Sequence, residues 1–576
     1  MAGIYGFLFK ENNSNKIYNS FFNSSFFGIV KNEVNYKENI FGRCVLAKFS
    51  DDRFFYEDES FIICFEGINY SSIKTPLNFI ENYKKEGISF ITNLSGVFSG
   101  FFHSKKENTI HIFNDPLGSK SIFYFFDANY GFAFSSEMHV LSKVLRENSI
   151  NFNFNVDGIY SLSLYGQLFD EQTVVEEINR LTYGSIISYD IINRKVSKKK
   201  YFRLDKTIDK TITKQDATQK IDVLMLDAIE QEWSKDVNNK YSNHLTLISG
   251  GMDSRVNALL ASEIGYNNIN SYTYGDPRSS DIKIAGKIAK DHFYSHVQSN
   301  LTSGNYLCNN ILENYIKPTD GLVIYTPTAT MFHSLMKINC NNSGVLHTGQ
   351  IGDVVFGSFI RENFDILKNK DQIGLTGFVK HKNILNKITS LESILNRYKN
   401  EDYELYSYEQ RQINGTLMGD RLASNFIDHV SPFYNLDLIK FMLSLPTEYK
   451  KNQKIYFDWL QEYHPDTLKY KWEKIGRKPN SNINLKYGAI YKKYTNGGKK
   501  FFNLRYDSMN PIANWMASNS SMGKKLLEIF NENIEKVKSK EIQSDLRLIY
   551  NDDVFEYRNK FSVITVLLSL KLHFGW

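Results

Sequence analysis

The residues best suited to chemistry stand together at Ile248-Ser249-Gly250-Gly251-Met252-Asp253-Ser254, between an apolar run and an amphipathic one. At a strand-to-helix turn the first backbone N–H groups of the helix are unpaired and point outward with the positive end of the helix dipole. Two glycines let a phosphate approach that backbone closely, and the hydroxyls of Ser249 and Ser254 add donors. Asp253 narrows the reading, because a carboxylate beside a phosphate repels it unless a cation lies between them. The bland alternative is a Ser/Gly turn with Asp253 as a helix N-cap. The GKS or GKT ending of a Walker loop is absent.

The flanking segments must position this turn. "HLTLISGG" reads as a buried strand, "RVNALLASEIG" as a helix, "NINSYTYG" as a second strand and "DIKIAGKIAKDHF" as a second helix, an alternation that predicts a parallel α/β sheet. An amphipathic helix, "ITKQDATQKIDVLMLDAIEQEW", precedes them. Residues 1 to about 205 differ in period. "SFIICFEGINYSS", "GVFSGFFHSKKENTIHIFND" and "SIFYFFDANYGFAFSSE" alternate aromatic or β-branched residues with polar ones between Asn, Asp and Gly turns, predicting layered antiparallel sheets. After about residue 360 the pattern is mostly helical, ending in "FSVITVLLSLKLHFGW", too short and interrupted to span a bilayer and read as a docking helix.

A length of 576 residues suggests about two to four domains. A net charge of +6, spread without a basic block, argues against a nucleic-acid partner, and no run of 18 apolar residues argues for a membrane. Cys44, Cys64, Cys308 and Cys340 show no CxxC or metal spacing, so they read as reduced thiols of a soluble, cytoplasmic protein. A homodimer is left open.

SGGMDS resembles the SGGxDS pyrophosphate loop of the ATP pyrophosphatases, which cleave ATP between the α and β phosphates. About a hundred residues on, "LHTGQIGDVVFGSF" resembles the second loop of the asparagine synthetase family, with Gly349 and Asp353 at its turn. The resemblance implies that Ile248, Ser249, Gly250, Gly251, Asp253, Ser254 and Gly349 bind ATP and its pyrophosphate, and that Asp253 and Asp353 hold Mg²⁺. It further implies that Lys474, in "YKWEKIGRKP", faces the adenylate, and that Tyr274 and Gly275 contact the nucleoside. Asp281 matches a family carboxylate or caps the next helix.

The resemblance extends backward through "NDPLGSKSIFYFF" and "FAFSSEMHVL". It implies an N-terminal glutamine amidotransferase-like domain over residues 1–205, of Ntn-hydrolase-like αββα layers, and an ATP-pyrophosphatase domain over 206–576 with a helical C-terminal part. The opening MAGIYG is similar to that of the glutaminase domains, whose nucleophile is a cysteine at position 2, and here stands Ala2, natural or engineered. Glu66-Gly67-Ile68 stands where the family has Asn-Gly-Glu, Ser95 where an acidic residue is usual, and Arg43 matches the arginine for the glutamine carboxylate. A methyl group supplies no nucleophile, so the glutaminase is expected to be silent.

The acceptor side departs as well. Gln350 replaces the glutamate of the second loop and Val354 follows Asp353, while Val430 and Asn435 stand where an arginine and an aspartate are usual. A glutamine is no general base; a tyrosine and carboxylate pair could replace it. The expectation is an amide-forming, AMP-forming ligase that uses ATP and Mg²⁺ on a small-molecule or peptide carboxylate, with ammonia or another amine as the nitrogen source. The alternatives are a ring-closing cyclase of the lasso-peptide or β-lactam synthetase type, a tRNA-thiolating relative and a non-catalytic scaffold.

Overall fold

The computed structural model describes residues 3–9, 17–22, 28–399, 403–501, 507–552 and 556–576; Ala2 lies outside them. Twelve strands come first: β1 (Gly3–Phe9), β2 (Ile29–Tyr36), β3 (Asn39–Leu46), β4 (Phe54–Glu57), β5 (Phe61–Asn69), β6 (Gly96–Ser104), β7 (Thr109–Asn114), β8 (Phe123–Asp127), β9 (Gly131–Ser135), β10 (Ile178–Arg180), β11 (Ser185–Asp190) and β12 (Lys195–Lys200). They form two antiparallel sheets, ordered β10-β8-β9-β1-β3-β2 and β12-β11-β7-β6-β5-β4.

Strand periodicity explains why the sheets stack. On β5 the side chains of Ile62 and Cys64 enter a core shared with Ile4, Leu8 and Phe41 of the other sheet, while Phe61, Ile63 and Phe65 face the opposite way. That second face packs on helix α1 (Pro76–Glu86) through Phe79, Ile80 and Tyr83. The outer face of the first sheet meets α2 (Met138–Glu147) and α3 (Val156–Tyr165). The result is the αββα layering that the resemblance implies, built on the antiparallel sheets that the alternating pattern predicts, and the aromatic side chains fill its layers: Tyr83 stacks on Phe102 with ring centroids 4.2 Å apart. Helix α1 starts where its sequence dictates, with Thr75 accepting the Asn78 N–H at 3.2 Å, Pro76 in the first turn and Gly87 just past the end.

Helix α4 (Lys214–Asn238) then leads into a five-stranded parallel sheet. In chain order its elements are β13 (Asn243–Leu247), α5 (Asp253–Glu263), β14 (Ile269–Gly275), α6 (Ser280–Asp291), β15 (Ser295–Asn300), α7 (Tyr325–Leu335), β16 (Ser343–His347), α8 (Gly352–Val355) and β17 (His429–Val430). The spatial order is β15-β14-β13-β16-β17, so the winding reverses between β13 and β16. Leu245 pairs with Leu346 and Thr246 with His347, which sets the C-terminal ends of those two strands level. Asp236 of α4 braces them from beneath, hydrogen-bonded to His244 at 2.8 Å and His347 at 2.9 Å, with Trp233 stacked on His347. Asp236 Oδ2 thus takes a ring nitrogen of each histidine, and this buried trio braces the two strands.

The remaining chain is largely helical, and the terminal helix Glu556–Phe574 buries Phe561, Val563, Ile564, Leu567 and Leu570 against the common core. Among the described residues no helix is long and apolar enough to cross a membrane.

Buried ion pairs join the antiparallel layers to the parallel-sheet half. Asp428, just before β17, takes both Arg53 and Lys120, and Asp52 takes Lys235 of α4 at 2.6 Å. These two cations hold the Asp428 carboxyl far below the usual carboxylate range against the opposing effect of burial. Its contribution is therefore present above about pH 4 and lost on acidification below that. Asp428→Ala would strand two buried cations, so a loss of roughly 3–5 kcal/mol is expected, read as a lower urea midpoint at neutral pH.

Candidate functional site

The two loops flagged in the sequence meet at the point where the sheet's winding reverses, the crevice that parallel α/β folds use for ligands. Residues 248–252 turn from β13 into α5, and Thr348-Gly349-Gln350-Ile351 turn from β16 into α8. Within the first loop, the Ser249 N–H donates to Ser254 Oγ at 3.1 Å and the Gly251 N–H to Ser249 Oγ at 3.0 Å. Ile248 is anchored below by its N–H to Tyr272 O at 3.0 Å. The fully buried Arg255 donates to Gly250 O at 3.0 Å and to Lys471 O at 2.7 Å, tying the loop to the 470s segment.

Asp253 is not a helix cap. It occupies the first position of α5, Met252 takes the cap position without a side-chain bond, and Asp253 Oδ2 accepts the Asp353 N–H at 2.8 Å. The two carboxylates, a hundred residues apart in sequence, thus sit side by side at facing helix starts. Asp353 Oδ2 in turn accepts the Ser358 hydroxyl at 3.0 Å. Such closeness requires glycine: a Cβ on Gly349 would lie 2.2 Å from Ser254 N, and one on Gly352 2.5 Å from Asp253 Cγ.

Burial, and then the Asp353 charge, push the Asp253 carboxyl well above its usual range, and Glu473 acts in the same direction. Two oxygen donors of like charge beside hydroxyls and an open helix start match what a hard divalent cation binds, so the residues present fit Mg²⁺ together with a polyphosphate.

The cavity above these loops has a volume of about 240 Å³ and is lined by Ile248, Ser249, Gly251, Asp253, Ser254, Tyr274, Gly349 and Gln350, with Met509 from the distant C-terminal segment. Gly275 ends β14 with φ of 148°, and Met509 packs so closely that a Cβ there would meet its Cγ at 2.6 Å. Asp281 lies beside Gly250, and the cap of α6 belongs to Ser279, whose Oγ accepts the Ile282 N–H. Gly250 is buried between Asp281 and Glu473 and supplies backbone to the loop.

Lys474 is placed differently from the loop residues. The Glu473 N–H donates to Gly250 O at 3.3 Å, so the segment touches the loop, yet the Lys474 side chain is exposed, with its ammonium 5.3 Å from the Trp472 ring centroid.

A second cavity, of about 470 Å³, adjoins the first, and Tyr274, Gln350 and Met509 line both. Its wall is largely apolar, with Val323, Ile324, Met331, Leu375 and Ile512, and Arg558 at its edge. Asp420, missed in the sequence reading, lines it and is 5% exposed. Gln350 Nε2 donates to Asp420 Oδ1 at 3.1 Å, and the Tyr434 hydroxyl donates to Asp420 Oδ2 at 3.3 Å. Burial pushes this carboxyl up to about 7. One signal was available, an acid directly after the apolar "TLMG" run, but nothing local linked it to Gln350, 70 residues earlier.

The other departures have structural roles. Val430 holds the second loop through backbone, accepting the Thr348 N–H at 2.9 Å, and Val354 is buried. Asn435 caps the helix Leu436–Ser444, its Oδ1 accepting the Asp437 and Leu438 N–H groups at 3.0 Å. In the antiparallel layers, Arg43 donates to Glu66 at 2.7 Å, and Glu66 is fully buried with Arg53 3.9 Å away. The arginine that would meet a glutamine carboxylate is therefore occupied by a carboxylate of the chain itself.

Residues 56–202 match the glutamine amidotransferase domain family, and residues 242–476 match the asparagine synthase family. A relative from Methanocaldococcus jannaschii, described as "Putative asparagine synthetase [glutamine-hydrolyzing] 2", is 23% identical over 222 residues, 35% of this chain and 42% of the relative. The match thus spans less than half of that relative's length. Among solved structures, the glutamine phosphoribosylpyrophosphate amidotransferase of B. subtilis overlaps 46% of this chain and 77% of its own at 8% identity and a TM-score of 0.21. The NH3-dependent NAD synthetase of Campylobacter jejuni overlaps 37% and 94% at 15% identity and a TM-score of 0.17. At these identities and TM-scores neither likeness bears on function. The chain thus has the architecture of the asparagine synthetase family, a glutamine amidotransferase domain followed by an asparagine synthase domain.

Proposed function

We propose that this protein is an ATP-dependent ligase that activates a carboxylic acid as its acyl-adenylate and passes the acyl group to an amine, with a glutaminase half that no longer hydrolyses glutamine. The observation that carries this reading is the junction of the two cavities: a two-carboxylate phosphate crevice opens, across Tyr274, Gln350 and Met509, into a roomy pocket for a second substrate. That pocket is large and apolar for an aspartate, which favours a bulkier acid. An acid carrying its own amine would close a ring, and the pocket's size supports this second reading. Four buried, unbridged cysteines fit a cytoplasmic setting.

In the first step an oxygen of the substrate carboxylate bonds to the α-phosphorus of ATP, the bond from that phosphorus to the bridging oxygen breaks, and pyrophosphate leaves. The Ser249–Ser254 loop orients the phosphates, and Asp253 and Asp353 would hold Mg²⁺, which supplies charge neutralisation on pyrophosphate. In the second step the amine nitrogen bonds to the acyl carbon, the carbon–oxygen bond to AMP breaks, and a proton of the amine passes to Asp420. Gln350 and Tyr434 position Asp420 for that transfer. Lys474 remains a proposal for the adenylate charge; acting there requires its side chain to leave Trp472.

The test is ATP–pyrophosphate exchange by purified protein with Mg²⁺ across pools of amino acids, uronic acids and peptides. Exchange with one acid larger than aspartate is expected, together with no release of glutamate from glutamine. Absence of exchange in every pool by folded, ATP-binding protein would count against adenylation, and glutamate release would overturn the silent glutaminase.

A further inference from the structure

A third cavity, of about 330 Å³, lies on the seam between the antiparallel layers and the parallel-sheet half. Ser95 and Val97 line one side, α4 another, and Tyr434 and Lys440 a third. Glu232 lines it from the buried face of α4, beside Ala228, Ile229 and Trp233 and near the buried charges Lys235 and Asp236, both of which have partners. Glu232 is 5% exposed, and its Oε2 makes no hydrogen bond among the described residues.

The groups around Glu232 do not satisfy it. Burial pushes the Glu232 carboxyl well above the usual range, and the like charge of Asp236 on the same helix acts in the same direction. Lys235 is committed to Asp52 at 2.6 Å, and Lys440 lies at the rim near Asp437 and over the Phe202 ring. Asp115 also lines the cavity, but its oxygens accept backbone N–H groups from Phe98, Leu117, Ser119 and Lys120. Glu232 is thus a buried acceptor facing a cavity that has room for several water-sized groups, each about 30 Å³. A buried carboxylate is relieved by a cation that also donates hydrogen bonds, and a primary ammonium group is the compact cation that does both.

Across the cavity stands Tyr434, whose hydroxyl reaches Asp420 on the acid-pocket side. We propose that this seam cavity binds the primary amine consumed in the second step, its ammonium group paired with Glu232 and its carbon chain along the cavity wall. The assignment as amine substrate rests on the ligase reading above; the binding of an alkylammonium ion does not.

Calorimetric titration of the full chain with n-butylammonium chloride, without ATP, tests the binding. Saturable binding is expected, at least tenfold weaker in Glu232→Gln, with 1-butanol silent. Because Glu232→Gln could perturb α4, Ser95→Trp, which crowds the cavity from the opposite wall, provides a second variant and is expected to weaken binding as well. No saturable binding, equal affinity in wild type and Glu232→Gln, or equal binding of 1-butanol would overturn the proposal. Its assignment to the amine is read from amide formation: the amine KM should rise at least tenfold in Glu232→Gln with a smaller change in kcat, and an unchanged KM would overturn that assignment. Exchange by the wild type, which needs no amine, reports separately on the ligase reading.

Discussion

Asp253→Ala and Asp353→Ala are each expected to lower ATP–pyrophosphate exchange by at least about 100-fold, roughly 3 kcal/mol of lost transition-state stabilisation. The reason lies in their placement. Each carboxylate sits at the start of a helix, Asp253 is the one acid among the described residues lining the cavity above the loops, and Asp353 stands next to it with its N–H bonded to Asp253. Removing either leaves one carboxylate to hold a divalent ion against a polyphosphate.

A second measurement separates function from stability. Because the folded-state Asp253 carboxyl titrates above its unfolded value, the metal-free protein is most stable when this group is protonated and loses stability as pH rises through the folded value. Asp253→Asn removes that repulsion and keeps an acceptor for the Asp353 N–H. The metal-free variant should therefore have a urea midpoint at neutral pH no lower than the wild type while exchange is lost. A fall in both together would show that Asp253 is structural.

Asp420→Asn should lower amide formation by roughly 10²–10⁴-fold, the range for loss of a general base, and by far more than it lowers exchange. The pH profile gives the sharper check. With its carboxyl pushed up to about 7 by burial, Asp420 accepts a proton only when ionised, so kcat for amide formation should rise with pH through a midpoint near that value. The variant should lose this limb. Of its titratable neighbours, His429, 3.8 Å away, is pushed down by burial to about 4 and is uncharged over that range, and burial holds the Tyr434 hydroxyl well above its usual value. A limb at the same pH in Asp420→Asn would assign the titration elsewhere. Comparable losses in exchange and amide formation would mean that Asp420 shapes the acid pocket and does not take the proton.

Much of this was legible in residue order because it is written in short-range chemistry. A strand period of two and a helix period of 3.6 are set within a few residues, so "HLTLISGG" and "RVNALLASEIG" announced β13 and α5 without reference to the rest of the chain. The glycines of the two loops are likewise local statements, and the close approaches at Gly349 and Gly352 show what they permit. The alternation along β5 encoded both of its buried faces.

What only the tertiary structure decided has no period and no fixed spacing. Asp420 reaches Gln350 across 70 residues of irregular helical chain, Met509 closes the cavity above the two loops from the far C-terminal segment, and Glu66 of β5 occupies Arg43 of β3. Glu232 looked like one more acid on an amphipathic helix until the seam between the two halves closed over it. The position of Lys474 on the outside of its segment, over Trp472, was equally invisible in a lysine-rich string. Backbone preferences act between neighbours and therefore survive in the linear text. The environment of a side chain is set by whatever distant surface packs against it, so burial, pairing and charge at these residues exist only once the chain is folded.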